Sequence, residues 1–318
     1  MRPNIKHLSY YQTGGDVFKL YEPLNVSDLQ AACTDIKARN LSLVVLGGGT
    51  NSLILDDYFP GAVISLHKMH NVSLEDSTLT CEAGASNTAI AEHALQENLE
   101  GCAWMNYLPG QIGGTTRMNA RCYGGEISQI VTKVSAININ GEKEFFTGGN
   151  HTFQGYKETI FMTRPVIIYE VTLRLKKSKS SHEIKEKMDY CRSDREKKHQ
   201  FDYPSCGCIF KNNYTIGIPS GALLEKAGAK DIRVGEALVN PHHANFIFNT
   251  GNATSDDILD TSFLMREAVF LEFGVWLEYE MEVLGTLKSP RKEQFLAQRS
   301  HQPNHKIELL KQTLSKKI

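Results

Sequence analysis

The chain lacks the features that mark several specialised protein classes. Its 318 residues contain 35 Lys and Arg against 36 Asp and Glu, so the net charge is −1. A dedicated nucleic-acid binder usually carries a strong basic excess, and we expect no nucleic-acid partner. No run approaches the roughly 18 apolar residues that cross a bilayer, and no apolar stretch follows residues 1–6. We therefore expect neither a membrane span nor a signal peptide.

Cysteine is also too scarce for a disulfide framework. The seven cysteines are an odd number in a long chain, and we expect reduced thiols in a cytoplasmic protein. Cys206 and Cys208, with His242 and His243, form a conceivable zinc set. The Cys-x-Cys spacing is unusual for zinc, so the prediction is that no metal is bound.

Helix and strand signals alternate along the chain without an internal repeat. Ser27, with Gln30 three residues on, has capping-box spacing and predicts a helix start. Thr254 predicts the start of a long helix that ends at Gly274. Residues 43–46, 131–139 and 166–175 read as strands, and residues 176–198 as a solvated helix with a flanking linker.

Two glycine-rich loops are the first functional signal. Residues 47–52 read Gly-Gly-Gly-Thr-Asn-Ser after a strand, and residues 108–116 carry Gly110, Gly113 and Gly114. Their backbone amides could face an anion, although the first loop is equally compatible with a tight strand-to-strand turn. The spacing differs from a Rossmann fingerprint, and no Gly-Lys-Ser/Thr of a P-loop is present. Two such loops fit the diphosphate of a dinucleotide better than a mononucleotide.

Further motifs, read together with these loops, resemble one family. They are Tyr-Gly at 123–124, Gly-Tyr-Lys at 155–157, Pro-Ser-Cys-Gly-Cys-Ile-Phe-Lys-Asn at 204–212, His-Ala-Asn-Phe-Ile at 243–247 and Leu-Glu-Tyr-Glu at 277–280. In order and spacing the set resembles the UDP-N-acetylenolpyruvoylglucosamine reductase (MurB) family. The resemblance runs from about residue 10 to residue 285. The short stretch between Asn119 and Cys208 resembles the compact form of the family.

The resemblance implies an α+β fold. A two-subdomain FAD-binding fold of the PCMH/vanillyl-alcohol-oxidase-like type would precede a C-terminal α+β substrate domain. The implied segments are 1–67 and 68–176 for FAD, 177–285 for substrate, and a basic tail at 286–318. NADPH would reduce the FAD, and hydride from its N5 would reach C3 of UDP-N-acetylglucosamine enolpyruvate. A proton would then reach C2, yielding UDP-N-acetylmuramate, a peptidoglycan precursor.

The resemblance also assigns residues to roles. The FAD-binding set would be Gly47, Gly48, Gly49, Thr50, Asn51, Ser52, Pro109, Gly110, Gly113, Gly114, Thr115 and Asn119. The substrate-binding set would be Tyr156, Lys211 and Asn212. The catalytic set would be Cys208 as proton donor, with Glu280 and Lys157 stabilising the anionic intermediate.

Two catalytic positions depart from the family pattern. Lys157 stands where the family has arginine; it keeps the charge and loses the planar fork, and the alternative is a solvated lysine paired with Glu158. Cys208 stands where the family usually has serine; a free thiol has a pKa of about 8.5 and can donate a proton, and the alternative is an inert buried cysteine. Glu280 is assigned by its motif, but Glu278 and Glu282 alternate with it along an apparent strand and would share its face.

Other departures keep a second interpretation open. Arg121 replaces a usual glycine and Leu238 a frequent glutamine. Together with the catalytic changes they are compatible with a FAD-binding paralogue that has another substrate or little activity. The basic tail holds eight Lys or Arg against two Glu, and its leucines at helical spacing favour a packed helix over a binding surface. We expect a monomer.

Overall fold

A computed structural model describes residues 2–315 of the chain. These residues form two compact units. Of the described residues, the first unit contains 2–3, Val17–Gly48 and Pro60–Arg195; the second contains Asn4–Asp16, Gly49–Phe59 and 196–315. The finer boundaries at residues 67 and 176 stay a prediction.

The described residues contain nineteen β-strands. In chain order they are β1 (Val17–Tyr21), β2 (Leu43–Leu46), β3 (Ser52–Ile54), β4 (Phe59–Ser65), β5 (Val72–Glu75), β6 (Thr78–Glu82), β7 (Leu99–Glu100), β8 (Arg121–Cys122), β9 (Gly125–Glu126), β10 (Val131–Asn138), β11 (Lys143–Thr147), β12 (Phe153–Gly155), β13 (Glu158–Thr159), β14 (Val166–Arg174), β15 (Lys176–Lys177), β16 (Arg233–Val234), β17 (Ala237–Val239), β18 (Ile247–Asn249) and β19 (Glu282–Leu284).

Eight α-helices are present in the described residues. They are α1 (Val26–Ala38), α2 (Asn87–Gln96), α3 (Ile112–Arg117), α4 (Ser181–Lys197), α5 (Ser220–Lys226), α6 (Ser255–Phe273), α7 (Arg291–Leu296) and α8 (Lys306–Ser315). None of the helices in residues 2–315 is long and apolar enough to cross a membrane.

The first unit contains two sheets over one apolar core. The smaller sheet has the order β1-β4-β2, and β2 runs parallel to β4. The larger sheet is antiparallel with the order β11-β10-β14-β6-β5. Inward side chains of these strands pack with α1 and α2, as shown by the fully buried Leu29, Ile64, Leu79 and Ile90. The first glycine loop begins at the end of β2.

The second unit has its own core around the long helix α6. An antiparallel sheet of order β16-β17-β18 and helix α5 contact α6, and β3 pairs in parallel with β19. Ile258, Leu259 and Met265 of α6 are fully buried. Helix α8 adds Ile307 and Leu310 to the same core, so the expected packing of the tail is confirmed, while Leu309 stays 56% exposed.

The local predictions succeed unevenly. Thr254 and Asp257 form the complete capping box of α6, and Gly274 ends that helix with φ of +69°. The predicted start at Ser27 is wrong: Asn25 caps α1 by accepting a hydrogen bond from the Asp28 amide at 3.0 Å. The strand expected through Glu278 and Glu280 is also not continuous, because β19 begins only at Glu282.

Candidate functional site

The first glycine loop runs from β2 into β3 and belongs to both units. Gly47 and Gly48 lie in the first unit, and the residues from Gly49 onward lie in the second. Gly49 has φ of +64°, and a Cβ on it would lie 2.4 Å from the Leu8 carbonyl oxygen. Only glycine fits this position without distortion. Asn51 Nδ2 donates to the Glu280 carbonyl oxygen at 3.0 Å, and Ser52 pairs with Glu282.

The second glycine loop leads into α3 in the first unit. Gly113 is buried against Ala83, whereas a Cβ on Gly114 would meet nothing within 4 Å. A Cβ on Gly47 would lie 3.5 Å from Gln111 Oε1 and 4.0 Å from the Gly114 amide nitrogen. The start of the first loop therefore lies beside the second.

Three buried polar atoms at this loop lack a hydrogen-bond partner. They are Gln111 Oε1, Thr116 Oγ1 and Asn119 Oδ1. Buried polar groups are normally satisfied, so a cluster of unsatisfied ones is typical of a ligand site. The amide end of Asn119 is already used, since Nδ2 donates to Glu126 Oε1 at 2.7 Å and to the Gly155 carbonyl at 2.8 Å.

These residues fit FAD. The unsatisfied atoms offer hydrogen bonds to a polar ligand, and the open side of Gly114 leaves its backbone accessible to a phosphate. The side chain of the predicted Thr115 is engaged within the protein, because its hydroxyl donates to Asn87 Oδ1 at 2.9 Å. We assign Thr115 a role in bracing the loop rather than in direct side-chain binding.

Lys157 is a buried residue of the first unit. It is only 7% exposed and takes φ of +56°, so the alternative of a solvated surface lysine is wrong. The neighbouring Glu158 is exposed. Burial raises the pKa of the Cys122 thiol, and the charges of Arg195 and Lys157 offset part of that rise. The burial leaves a cation in a weakly screened environment, as an anion-stabilising role requires.

Tyr156 stands next to Lys157 and contacts Arg121. The Arg121 guanidinium carbon lies 5.5 Å from the centre of the Tyr156 ring, and Nη1 lies 4.0 Å from Glu126 Oε2. Arg121 pairs with Glu126 across the β8–β9 hairpin, whose turn contains Gly124 with φ of +78°. The bulky Arg121 side chain is therefore accommodated on the exposed side of this hairpin.

Cys208 lies in a loop of the second unit that Asn245 holds. Ile209 donates its amide to the Asn245 carbonyl at 2.9 Å, and Asn245 bonds both the amide and the carbonyl of Phe210 at 3.0 and 2.8 Å. Gly207 takes φ of +79° to make the turn. Cys208 is half-buried, unlike Cys206, which is 1% exposed.

Backbone bonds hold the Glu280 segment against the Cys208 loop. Burial raises the pKa of the Cys206 thiol in this loop, and its hydrogen bond with Tyr11 lowers it. The backbone amide of Glu280 donates to the Ile209 carbonyl at 2.8 Å, which ties its segment to the Cys208 loop.

The three alternating glutamates do not share one environment. The amides of both Glu280 and Met281 donate to the Ile209 carbonyl, so the strand is irregular at this point. Glu278 is exposed and pairs with Lys211, with 2.7 Å between Nζ and Oε1. Glu280 is half-buried beside the cysteines. Of the two, Glu280 is the better placed to act on a bound molecule.

The predicted substrate-binding residues of the second unit already have protein partners. Lys211 pairs with Glu278, as described above. Asn212 Oδ1 accepts a hydrogen bond from the Ser220 amide at 2.9 Å, at the start of α5. Leu238 lies in β17 opposite Phe248. The side-chain amide nitrogen of Asn212 is not used by that bond and stays available for the predicted role.

Several site residues escaped the sequence reasoning. Gln111 and Thr116 belong to the second loop, in which only the glycines form a motif that predicts ligand binding. Arg195 is 3% exposed, stacks over Tyr123 with 4.7 Å from its guanidinium carbon to the ring centre, and donates to Cys122 Sγ at 3.3 Å. The sequence does not predict the burial of Arg195, because the composition of its segment, residues 176–198, predicts a solvated helix. In residues 2–315, no three His, Cys, Asp or Glu side chains are grouped to hold a metal.

Comparison with known proteins gives a consistent result. Residues 19–144 match the family described as "FAD binding domain", and residues 199–284 match "UDP-N-acetylenolpyruvoylglucosamine reductase, C-terminal domain". UDP-N-acetylenolpyruvoylglucosamine reductase 2 of Bacillus cereus is 32% identical, over 88% of this chain and 91% of that protein. The Lactobacillus johnsonii reductase is 32% identical, over 89% and 94% respectively.

A solved structure supports the same relationship. The crystal structure of UDP-N-acetylenolpyruvylglucosamine reductase from Thermus caldophilus aligns with a TM-score of 0.73 and 27% identity. The alignment covers 89% of this chain and 98% of that one. The predicted fold class, an FAD-binding fold followed by a C-terminal α+β domain, is confirmed.

Proposed function

Because this chain belongs to the UDP-N-acetylenolpyruvoylglucosamine reductase family, we propose that it reduces UDP-N-acetylglucosamine enolpyruvate to UDP-N-acetylmuramate with NADPH. The observation that carries the proposal is the presence of two family matches, in this order, in one chain. An FAD-binding domain is followed by the reductase C-terminal domain, and the relatives are matched over nine-tenths of their length.

The second glycine loop is the main FAD-holding element of the first unit. The backbone around Gly114 would contact the diphosphate, and Gln111, Thr116 and Asn119 would satisfy their buried oxygens on the bound cofactor. When bound, FAD supplies the hydride that reaches C3 of the enolpyruvyl group after reduction by NADPH. The protein's contribution is the placement of charges and one proton.

Cys208 would protonate C2 of the substrate. It is half-buried, which suits a group that must reach a ligand yet stay shielded from bulk water. Its loop is fixed by Asn245 and Gly207, so the thiol has a defined position. A thiol is a stronger acid than the serine hydroxyl usual in the family, and donates its proton more readily.

Lys157 and Glu280 would stabilise the anion that precedes protonation. Lys157 is a buried cation, and a preorganised charge in a dry site is worth more than one in water. Glu280 lies beside the cysteines of the proton-donor loop. From this position Glu280 would help to stabilise the carboxylate-centred intermediate.

An anaerobic stopped-flow measurement tests the function directly. The FAD-loaded protein is reduced with NADPH, and UDP-N-acetylglucosamine enolpyruvate is then added while flavin absorbance is followed. Rapid reoxidation with formation of UDP-N-acetylmuramate is the expected result. A matched addition of UDP-N-acetylglucosamine, which lacks the enolpyruvyl group, provides the control and must leave the flavin reduced.

The other outcomes are equally informative. Reduction by NADPH without reoxidation by the enolpyruvyl substrate would favour a paralogue with another acceptor. Two features would explain such a change. The side chains of Lys211 and Asn212 already have protein partners, and Leu238 is apolar. Failure to bind FAD at all would refute the proposed function.

A cytoplasmic location and a monomeric state also belong to the proposal. All seven cysteines are free thiols in the structure, which suits a reducing compartment.

A further inference from the structure

The C-terminal tail reaches the segment that carries Glu280. The part of the 286–318 tail considered below, residues 291–310, lies beyond the 199–284 family match. Gln302 donates its amide to the Gly274 carbonyl at 2.7 Å, and Asn304 Nδ2 donates to the Glu272 carbonyl at 2.9 Å. A Cβ on Gly274 would lie 1.9 Å from the Gln302 carbonyl oxygen, so the glycine at the end of α6 permits the docking.

Side chains of α6 and the following residues bind the tail at a second place. The Arg266 guanidinium donates to the carbonyl oxygens of Gln294 and Phe295. Trp276 Nε1 donates to the Ala297 carbonyl at 2.9 Å. Arg266 is 3% exposed and lies over the rings of both Trp276 and Tyr279, at 4.2 and 4.5 Å from their centres. The tail is thus held through buried polar groups that have few other partners.

An aromatic stack connects the tail to the loop of the proton donor. The Phe295 ring stacks on Tyr279 with 4.4 Å between centres and 14° between planes. Tyr279 also stacks with Phe210, at 5.0 Å and 29°. Tyr279 immediately precedes Glu280, and Phe210 is two residues beyond Cys208. The Tyr279 hydroxyl lies 3.0 Å from Ser262 Oγ, which anchors the ring on α6.

We propose that the tail is a positioning element, in which Phe295 fixes the Tyr279–Glu280 segment against the Cys208 loop. The inference rests on the proposed roles of Cys208 and Glu280. The main chain of Glu280 is bonded to Ile209 and Asn51, but only an isolated bridge between Phe210 and Tyr279 precedes the regular pairing that begins at Glu282. Stacking on Tyr279 adds a side-chain constraint to this irregular segment. Small misplacements of catalytic groups cost large factors in rate.

The test compares Phe295→Ala with Leu296→Ala, its neighbour on the same helix. Leu296 is 59% exposed and serves as the matched control. We expect Phe295→Ala to slow flavin reoxidation by UDP-N-acetylglucosamine enolpyruvate by about 10- to 100-fold. Flavin content and the rate of flavin reduction by NADPH stay unchanged. Phe295→Tyr keeps the stack and the wild-type rate, and Phe295→Leu preserves apolar volume should the alanine variant fold poorly.

Hydrogen exchange provides a readout that is independent of activity. The amides of residues 277–284 should exchange faster in Phe295→Ala and Phe295→Leu than in the wild type, and stay unchanged in Leu296→Ala. Wild-type reoxidation rates in Phe295→Ala, equal losses in both half-reactions, or unchanged exchange would each overturn the inference. If the wild-type protein itself is not reoxidised by the substrate, the proposed function fails, and unchanged exchange in the Phe295 variants would still refute the positioning role.

Discussion

Two adjacent glycines of the second loop should respond in opposite ways to the same added methyl group. A Cβ on Gly113 would lie 2.8 Å from Ala83 Cβ and 3.1 Å from the Ala83 carbonyl oxygen. A Cβ on Gly114 would meet no atom within 4 Å. Gly113 therefore faces the protein and Gly114 faces outward, and Gly113→Ala and Gly114→Ala separate stability from cofactor binding.

Gly113→Ala should destabilise the protein before FAD is considered. The contacted residue, Ala83, follows β6 and is part of the core. Gly113 also donates its amide to the Ala83 carbonyl oxygen at 2.9 Å, so α3 cannot move away freely. Overpacking of this kind costs about 1–3 kcal/mol. The better helix propensity of alanine returns up to about 1 kcal/mol. The free energy of unfolding of the apoprotein should fall by roughly 1–2 kcal/mol.

Gly114→Ala should leave the apoprotein as stable as the wild type or slightly more stable, because only the propensity term acts. The methyl group instead occupies the side on which the diphosphate would approach. We expect FAD affinity to fall at least tenfold, or by about 1.4 kcal/mol.

Urea unfolding of the apoproteins and FAD titration followed by flavin fluorescence measure the two effects. Wild-type FAD affinity in Gly114→Ala would refute the placement of the cofactor at this loop. Unchanged stability in Gly113→Ala would show that the contact with Ala83 relaxes without cost.

Three further predictions concern catalysis and pH. Cys208→Ala should slow product formation by about 10²–10⁴-fold in single-turnover assays, whereas Cys208→Ser retains measurable activity; equal rates for all three proteins would exclude Cys208 as the acid. Lys157→Met should lower turnover at least tenfold, because it removes a buried charge and keeps the chain length, and full activity in this variant would contradict the anion-stabilising role. Burial raises the pKa of Cys81 and Cys102 to about 12, so the unfolded state loses these protons first and stability should fall as pH rises from about 9 to about 12. Cys102→Ala should make the pH dependence of urea unfolding less steep by about 1.4 kcal/mol per pH unit in that window, and an unchanged slope would show that the thiol is not protonated in the folded state.

Features that depend on neighbouring residues could be predicted from the sequence. The capping box of Thr254 and the αL glycine at residue 274 act within one helical turn of their own helix. The glycine loops and the amphipathic tail helix likewise follow from local chemistry. The family resemblance rests on ordered motifs of the same kind, and comparison with relatives confirms it.

Features that depend on distant residues could not be predicted from the sequence. Lys157 is buried whereas its neighbour Glu158 is exposed, although both are charged. The tertiary fold, and not the local polarity of the sequence, decides which of the two is covered. Asn25 and Ser27 are both good caps, and the path of the chain into α1 selects Asn25. Local alternation groups Glu278 with Glu280, whereas an irregularity set by Ile209, some 70 residues earlier, separates them.

The candidate site shows the same division. Sequence motifs identify the loop that carries Cys208 and the segment that carries Glu280, since each motif is short and local. The backbone bond that joins these two segments, the unsatisfied oxygens of the second loop and the stack of Phe295 on Tyr279 arise only when distant segments pack together. Sequence alone determined which chemical groups are present, and the tertiary structure decided which of them are buried, desolvated and adjacent, because those properties depend on contacts between residues far apart in the chain.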